Sequence, residues 1–292
     1  MGIWITVALF IVGVVCVIKG GDFFVDSASA IAKAFGIPSF IIGATIVSIA
    51  TTLPELIVSV TAAIDGKNDM AIGNAVGSVT ANTAMIMALA FIFMNVVGKR
   101  KDYWKQSCLL ILSAAVLWLF SLGGSLSIFG SIILLIIFAI FMYLNIKGAM
   151  DSKNEAEESE EEVNIVKEVV MFIVGAGLIV LGSQLLVNSG SDLALFFGVP
   201  ERIIAVTLVA IGPSLPALVT TVTAILKKDS SLSIGNIIGA NLIDLCLILP
   251  MCSLVSGKPI PVPATSYAFD MPVCLGFVCL GLLPFLWKEK AY

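Results

Sequence analysis

The sequence predicts an all-α polytopic membrane protein, an inverted-topology repeat of about five helices per copy. Three observations predict it: an apolar composition, nine hydrophobic stretches of membrane-crossing length, and a 47-residue segment that recurs 162 positions later. The 292 residues are 59% hydrophobic and 12% charged, with mean hydropathy +1.09. Soluble domains carry about 25% charged residues, so lipid is the main solvent expected here. Soluble enzymes and nucleic-acid binders are excluded, the latter also by a net charge of −4 without a basic patch. With no histidine in the chain, histidine metal sites and histidine general bases are excluded too. The six cysteines lie in or beside apolar runs without a CxxC pair and read as small hydrophobes in helix packing.

A helix needs about 20 apolar residues to cross the hydrocarbon core. Nine spans meet that need: 3–20, 39–64, 70–97, 107–122, 126–147, 168–187, 201–226, 231–255 and 268–287. The first begins almost at Met1 without a charged leader and reads as a span of the mature chain. The amphipathic stretch from Gly20 to Phe35 continues it. The second and third spans are long enough to tilt or to contain breaks. The spans group into a first repeat at 1–148 with five spans, a linker at 149–167, and a second repeat at 168–292 with four. The linker's run from Asp151 to Glu162 holds seven acids and reads as a solvated connection, without EF-hand ligand spacing.

Lysine and arginine bias sets orientation. With the N-terminus outside, thirteen basic residues fall on the cytoplasmic side and only Lys67, Arg202 and Lys258 outside. The acidic linker is then cytoplasmic, in a multi-pass protein of the cell membrane.

Residues 36–82 and 198–244 align without gaps at 17 of 47 positions, including Gly36/Gly198, Pro38/Pro200, Pro54/Pro216, Gly73/Gly235, Asn74/Asn236 and Gly77/Gly239. Shared apolar composition does not align prolines, glycines and asparagines together. The offset covers five spans, an odd number, so the second copy enters the membrane from the opposite face. Such repeats place a transport site near the midplane, where the copies meet. The fourth span maps onto the ninth; the fifth has no counterpart before Tyr292, so either the natural protein lacks a tenth span or this sequence is shortened.

In the first copy, Ser48, Thr51, Thr52 and Glu55 fall at i, i+3, i+4 and i+7, on one helical face. Pro54 cannot donate to the carbonyl of Ala50. Hydroxyls, freed carbonyls and a carboxylate are hard oxygen ligands suited to Na+ or Ca2+, and an intramembrane acid is a functional candidate by default. Ser78 and Asn82 stand one turn apart on the next helix, beside Gly73 and Gly77, which permit close helix approach. In the second copy, Ala217 replaces Glu55, Ala240 replaces Ser78, Pro213 replaces Thr51 and Asp244 replaces Asn82. The merged centre thus has two carboxylates, Glu55 and Asp244.

The stretches Ala50-Thr51-Thr52-Leu53-Pro54-Glu55 with Gly73-Asn74-Ala75-Val76-Gly77-Ser78, and Pro213-Ser214-Leu215-Pro216 with Gly235-Asn236-Ile237-Ile238-Gly239, resemble the α-repeats of the calcium/cation antiporter superfamily, especially its prokaryotic sodium/calcium exchanger branch. The resemblance covers nearly the whole chain. It implies ten helices, of which the first and sixth slide against the rest, and a central cluster of cation ligands. Carried over, these are Ser48 (backbone carbonyl), Thr51, Thr52, Glu55, Ser78 and Asn82, with Ala210 (backbone carbonyl), Ser214 and Asp244. It implies a secondary antiporter of Na+ and Ca2+ with no cofactor, whose partners are the lipid bilayer and inorganic cations, compatible with a monomer. Ala217 stands where the family usually has a second key acid, which weakens divalent binding or alters the ions exchanged.

Two alternatives remain open at this stage: exchange of another pair (H+, K+, Mg2+ or Mn2+), since a buried carboxylate can swap a proton for a cation, and a non-exchanging relative that binds or passively conducts cations. The chain does not read as an enzyme. Leu215-Pro216-Ala217-Leu218 is similar to a motif of intramembrane aspartyl proteases, but no Gly-x-Gly-Asp occurs, and the repeat register explains Pro216.

Overall fold

The computed structural model describes residues 3–93, 98–155, 163–200, 204, 211–287 and 290–291. The helices among them are α1 Ile3–Ala34, α2 Ser39–Ile64, α3 Asn68–Phe93, α4 Arg100–Ser121, α5 Ile128–Glu155, α6 Ile165–Phe196, α7 Gly212–Leu226, α8 Ser230–Ser256 and α9 Ser266–Leu286. Eight are long and apolar enough to cross a bilayer; the described part of α7 is shorter. The rest of the predicted seventh span, 201–203 and 205–210, and the centre of the acidic linker lie outside the described residues. The amphipathic stretch after Gly20 continues α1 without interruption.

The helix ends follow the repeat. Gly36 and Gly198 both take positive φ, +62° and +80°, and each closes the helix before it with the same two hydrogen bonds: Gly36 N to Lys33 O and Ile37 N to Ala32 O, Gly198 N to Leu195 O and Val199 N to Ala194 O. This is the glycine-terminated Schellman stop, where a left-handed residue satisfies the last carbonyls. The α2–α3 and α7–α8 turns repeat it, but the second copy has Lys228 at φ 60° where the first has Gly66.

Two short ribbons fix the crossing count. β1 (Gly98–Lys99), between α3 and α4, pairs antiparallel with β4 (Lys290–Ala291) beyond α9. β2 (Ser125–Leu126), between α4 and α5, pairs with β3 (Ile260–Pro261), between α8 and α9. Each pairing puts two chain positions on one face, which requires an even number of crossings between them. Among the described helices that holds when α7 is counted with the eight of membrane-crossing length. By the same parity the α1–α2 and α6–α7 turns, equivalent in the repeat, lie on opposite faces: the duplication is inverted.

The bundle is turned inside out relative to a soluble fold. Trp4, Ile57, Ile92 and Phe129 are exposed by 82%, 63%, 72% and 65%, a lipid-facing surface, as expected of a multi-pass membrane protein. α8 is the central helix, with every residue from Leu232 to Ile243 buried.

α2 and α8 approach backbone to backbone. A Cβ added at Gly235 would stand 2.2 Å from the Phe40 carbonyl, one at Gly43 2.4 Å from the Leu232 carbonyl, and one at Gly239 2.5 Å from both the Ala44 carbonyl and Ser48 Oγ. The equivalent glycines of α3, Gly73 and Gly77, meet nothing within 4 Å and border open cavities. One sequence motif therefore makes a sealed seam in one copy and a cavity wall in the other. Gly235→Ala is expected to destabilise the protein by about 1–3 kcal/mol through overpacking, lowering its thermal transition in detergent, while Gly73→Ala leaves that transition where it is. Equal shifts in the two variants would refute the asymmetry.

Candidate cation site

Ser48, Thr51, Thr52 and Glu55 are all buried, at 0%, 2%, 1% and 1% exposure. Their hydroxyls are held by the helix that carries them. Thr52 Oγ1 donates to Ser48 O at 2.6 Å, Thr51 Oγ1 to the same carbonyl at 3.2 Å, and Ser48 Oγ to Thr45 O at 3.0 Å. Thr51 Oγ1 also donates to Asn236 Oδ1 of α8 at 3.0 Å. α2 continues through Pro54 as a helix, so the expected break does not occur at the proline. The irregularities in α2, α3 and α8 are π-turns at Gly43–Val47, Asn82–Ile86 and Asp244–Ile248. A π-turn adds one residue to a helical turn and re-aims the side chains after it. Two of the three begin on the repeat-related residues Asn82 and Asp244.

α3 is tied to the Glu55 turn by Asn74, whose Nδ2 donates to Glu55 O at 3.2 Å and to Ser59 Oγ at 2.9 Å. Farther along, Ser214 Oγ donates to Ser78 Oγ at 3.1 Å, joining α7 to α3. An amide chain joins α3 to α8: Asn82 Nδ2 donates to Asn241 Oδ1 at 3.0 Å, and Asn241 Nδ2 donates to Thr83 Oγ1 at 2.9 Å. Asp244 lies on α8, fully buried and within electrostatic reach of Glu55.

Both carboxylate oxygens of Glu55, both of Asp244, and Asn82 Oδ1 are buried without a hydrogen-bond partner. Five unpaired oxygens in an apolar interior are costly unless something positive sits among them. Hard cations such as Na+ and Ca2+ are held by such carboxylate, amide and hydroxyl oxygens. No three Cys, Asp or Glu side chains gather among the described residues, so neutral oxygens must complete any cation's shell. The second copy offers fewer of them: Ala217 and Ala240 are buried at 1% and 0% without a side-chain oxygen, and Ala210 lies outside the described residues. Asn236 Nδ2 and Thr221 Oγ1 are unpaired, although their first-copy counterparts, Asn74 and Ser59, bond each other.

Sequence reasoning did not single out Asn74, Asn236 or Asn241 as site residues. Asn74 and Asn236 carried a signal, being identical in both copies. Asn241 aligns with Val79 and carried none; only the packing of α8 against α3 gives it a role.

Two cavities reach this region. One of about 250 Å³ is bordered by Asn74, Ser78 and Ser214. A larger one, of about 530 Å³, lies between Pro54, Val58 and Met70 on one side and Ser183, Gln184, Asn188 and Pro216 on the other, and shares Asn74 with the first. Val58 and Met70 place it in the half of the bundle that ends at the α2–α3 turn. The other half holds the α2–α8 seam. There Lys227 pairs with Asp26 at 2.5 Å and Asp22 at 3.5 Å, joining the α7–α8 turn to α1.

A family model described as sodium/calcium exchanger protein matches residues 5–147 and 167–289. The chain is 31% identical over 277 residues to the inner membrane protein YrbG of Escherichia coli, covering 92% of this chain and 85% of that protein. It is 29% identical to the sodium/calcium exchanger MaX1 of Methanosarcina acetivorans, covering 97% and 93% of the two chains. A structure of the sodium-calcium exchanger NCX_Mj soaked with Na+ and Sr2+ superposes with a TM-score of 0.84 at 28% identity, over 98% of this chain and 92% of that one.

Replacing Asn241 with Ala strands Asn82 Nδ2 inside the bundle. The expected cost is about 1–3 kcal/mol, read as a lowered unfolding temperature in detergent. An unchanged transition would show that the amide chain does not hold α3 to α8.

Proposed function

Because this chain belongs to the sodium/calcium exchanger protein family, we propose that it is a secondary-active cation antiporter that exchanges Ca2+ and Na+ by alternating access to one site between its two inverted repeats. The observation that carries this reading is the buried, unpartnered oxygen set of Glu55, Asp244 and Asn82. Glu55 and Asp244 supply the charge. Asn82 Oδ1, the Ser78 and Ser214 hydroxyls and the carbonyls of Ser48 and Ala210 complete the shell. The hydroxyls of Thr51 and Thr52 donate to Ser48 O and turn away from it when that carbonyl and their own lone pairs hold the ion.

The repeats divide at an acidic linker, 149–167, with 1–148 before it and 168–292 after. The basic-residue bias supports an external N-terminus and a cytoplasmic linker. In that orientation the cavity beside the α2–α3 turn faces outside, and the α2–α8 seam closes the cytoplasmic half. α1 packs along α6 through facing glycines: a Cβ at Gly20 would lie 2.9 Å from Gly175 O, and one at Gly182 2.9 Å from Gly13 O. That close pair fits a body that moves as one against the other helices, and its cytoplasmic-side tether is Lys227 to Asp22 and Asp26. Ion binding lowers the cost of the buried carboxylates and so allows the loaded site to close.

Coupling to H+ has support in the same geometry, because neither carboxylate has a cationic or hydrogen-bonding partner to keep it ionised. Flux in liposomes with Na+, K+ and pH gradients imposed separately distinguishes the coupling ions. Glu55→Ala is expected to abolish gradient-driven Ca2+ uptake while retaining the wild-type unfolding temperature or raising it, since a buried unpaired acid is removed. Undiminished uptake would overturn the assignment of Glu55.

A further inference from the structure

An exchange site carries its own charge through every occluded state, and the apolar interior penalises any net charge left over. That fixed charge can be counted. Glu55 and Asp244 are the only buried carboxylates among the described residues, and no lysine or arginine is buried with them. The second copy's motif segment, 204–226, contains no ionisable side chain in its sequence. Ala217, at the position equivalent to Glu55, packs into the main apolar cluster, so no group takes over the missing charge. The site's greatest negative charge is therefore two.

A site of charge −2 is neutral with one divalent cation or with two monovalent ones. A third monovalent ion leaves one uncompensated positive charge beside Ala217 and Ala240, where neither side chain offers an oxygen. We propose that this chain exchanges one divalent cation for two monovalent cations, Na+ or H+, without net charge movement, and that Ala217 sets this ratio by withholding a third carboxylate. The inference rests on the antiport reading above and adds its stoichiometry. Charge balances over the cycle: one divalent ion carries +2 in one direction and two monovalent ions carry +2 in the other, with the carboxylates ionised when they hold Ca2+ or Na+ and protonated when they hold H+.

The test uses the full-length wild-type chain in liposomes. Radiolabelled Ca2+ uptake is driven by an outward Na+ gradient, or separately by a pH gradient, while K+ and valinomycin set the membrane potential. The expected result is the same Ca2+ accumulation at both polarities, and the arm that drives uptake identifies the monovalent ion. If one net charge moved per cycle, accumulation at equilibrium would shift on the order of fifty-fold per ~100 mV; that shift overturns electroneutrality and leaves antiport standing. Absence of uptake under every gradient overturns both. Ala217→Glu is expected to gain potential dependence; an Ala217→Glu protein that folds, transports and stays indifferent to potential overturns the role given to Ala217. If that variant does not fold, the wild-type measurement still decides the ratio.

Discussion

Two carboxylates buried in an apolar helix bundle without partners are the constraint on which the rest of this structure depends. Glu55 and Asp244 each cost several kcal/mol in an apolar setting, and the helices that carry them are rich in buried hydroxyls and amides. Asn82 and Asp244 begin matched π-turns, Thr51 and Thr52 anchor their protons on Ser48 O, and the Asn82–Asn241–Thr83 chain spaces α3 from α8. Remove the acids and there is little reason for so many hydroxyls and amides at the centre of a hydrophobic protein.

The inverted duplication supplies both halves of that centre, but the copies are no longer equivalent. Their backbones agree closely: identical helix stops at Gly36 and Gly198, and matched turns at Gly66 and Lys228. Their contacts do not. The glycines of α8 seal against α2 while those of α3 face cavities. One inverted pair of seams, one closed and one open, is the geometry that alternating access requires of a repeat protein. The carboxylates have diverged further, with Glu55 against Ala217 and Asn82 against Asp244.

Much of the fold was legible in the chain. Lipid demands that each crossing segment satisfy its own backbone, so apolar run length gives the spans directly, and eight of the nine predicted spans overlap a membrane-length helix along most of their extent. The first is longer than predicted because polar residues after Gly20 lie on the same continuous helix; the described part of the seventh is shorter. Of the candidate ligands, Ser48, Thr51, Thr52 and Glu55 were grouped by helical spacing alone. Pro54 removes one hydrogen-bond donor without ending α2, which stays helical to Ile64, and the irregularities are π-turns, which no residue type signals.

The sequence by itself determined the spans, the duplication and the count of charges available to the centre, because these depend on composition and on matches between positions. Only the tertiary structure decided which copy of the glycine motif is sealed, which asparagines bridge the helices, and where cavities open beside Asn74, Ser78 and Ser214. Those outcomes depend on how two helices far apart in the chain meet, and identical motifs can meet their neighbours differently. Gly73 and Gly235 are the same residue in the same motif, yet one borders open space and the other touches the Phe40 backbone.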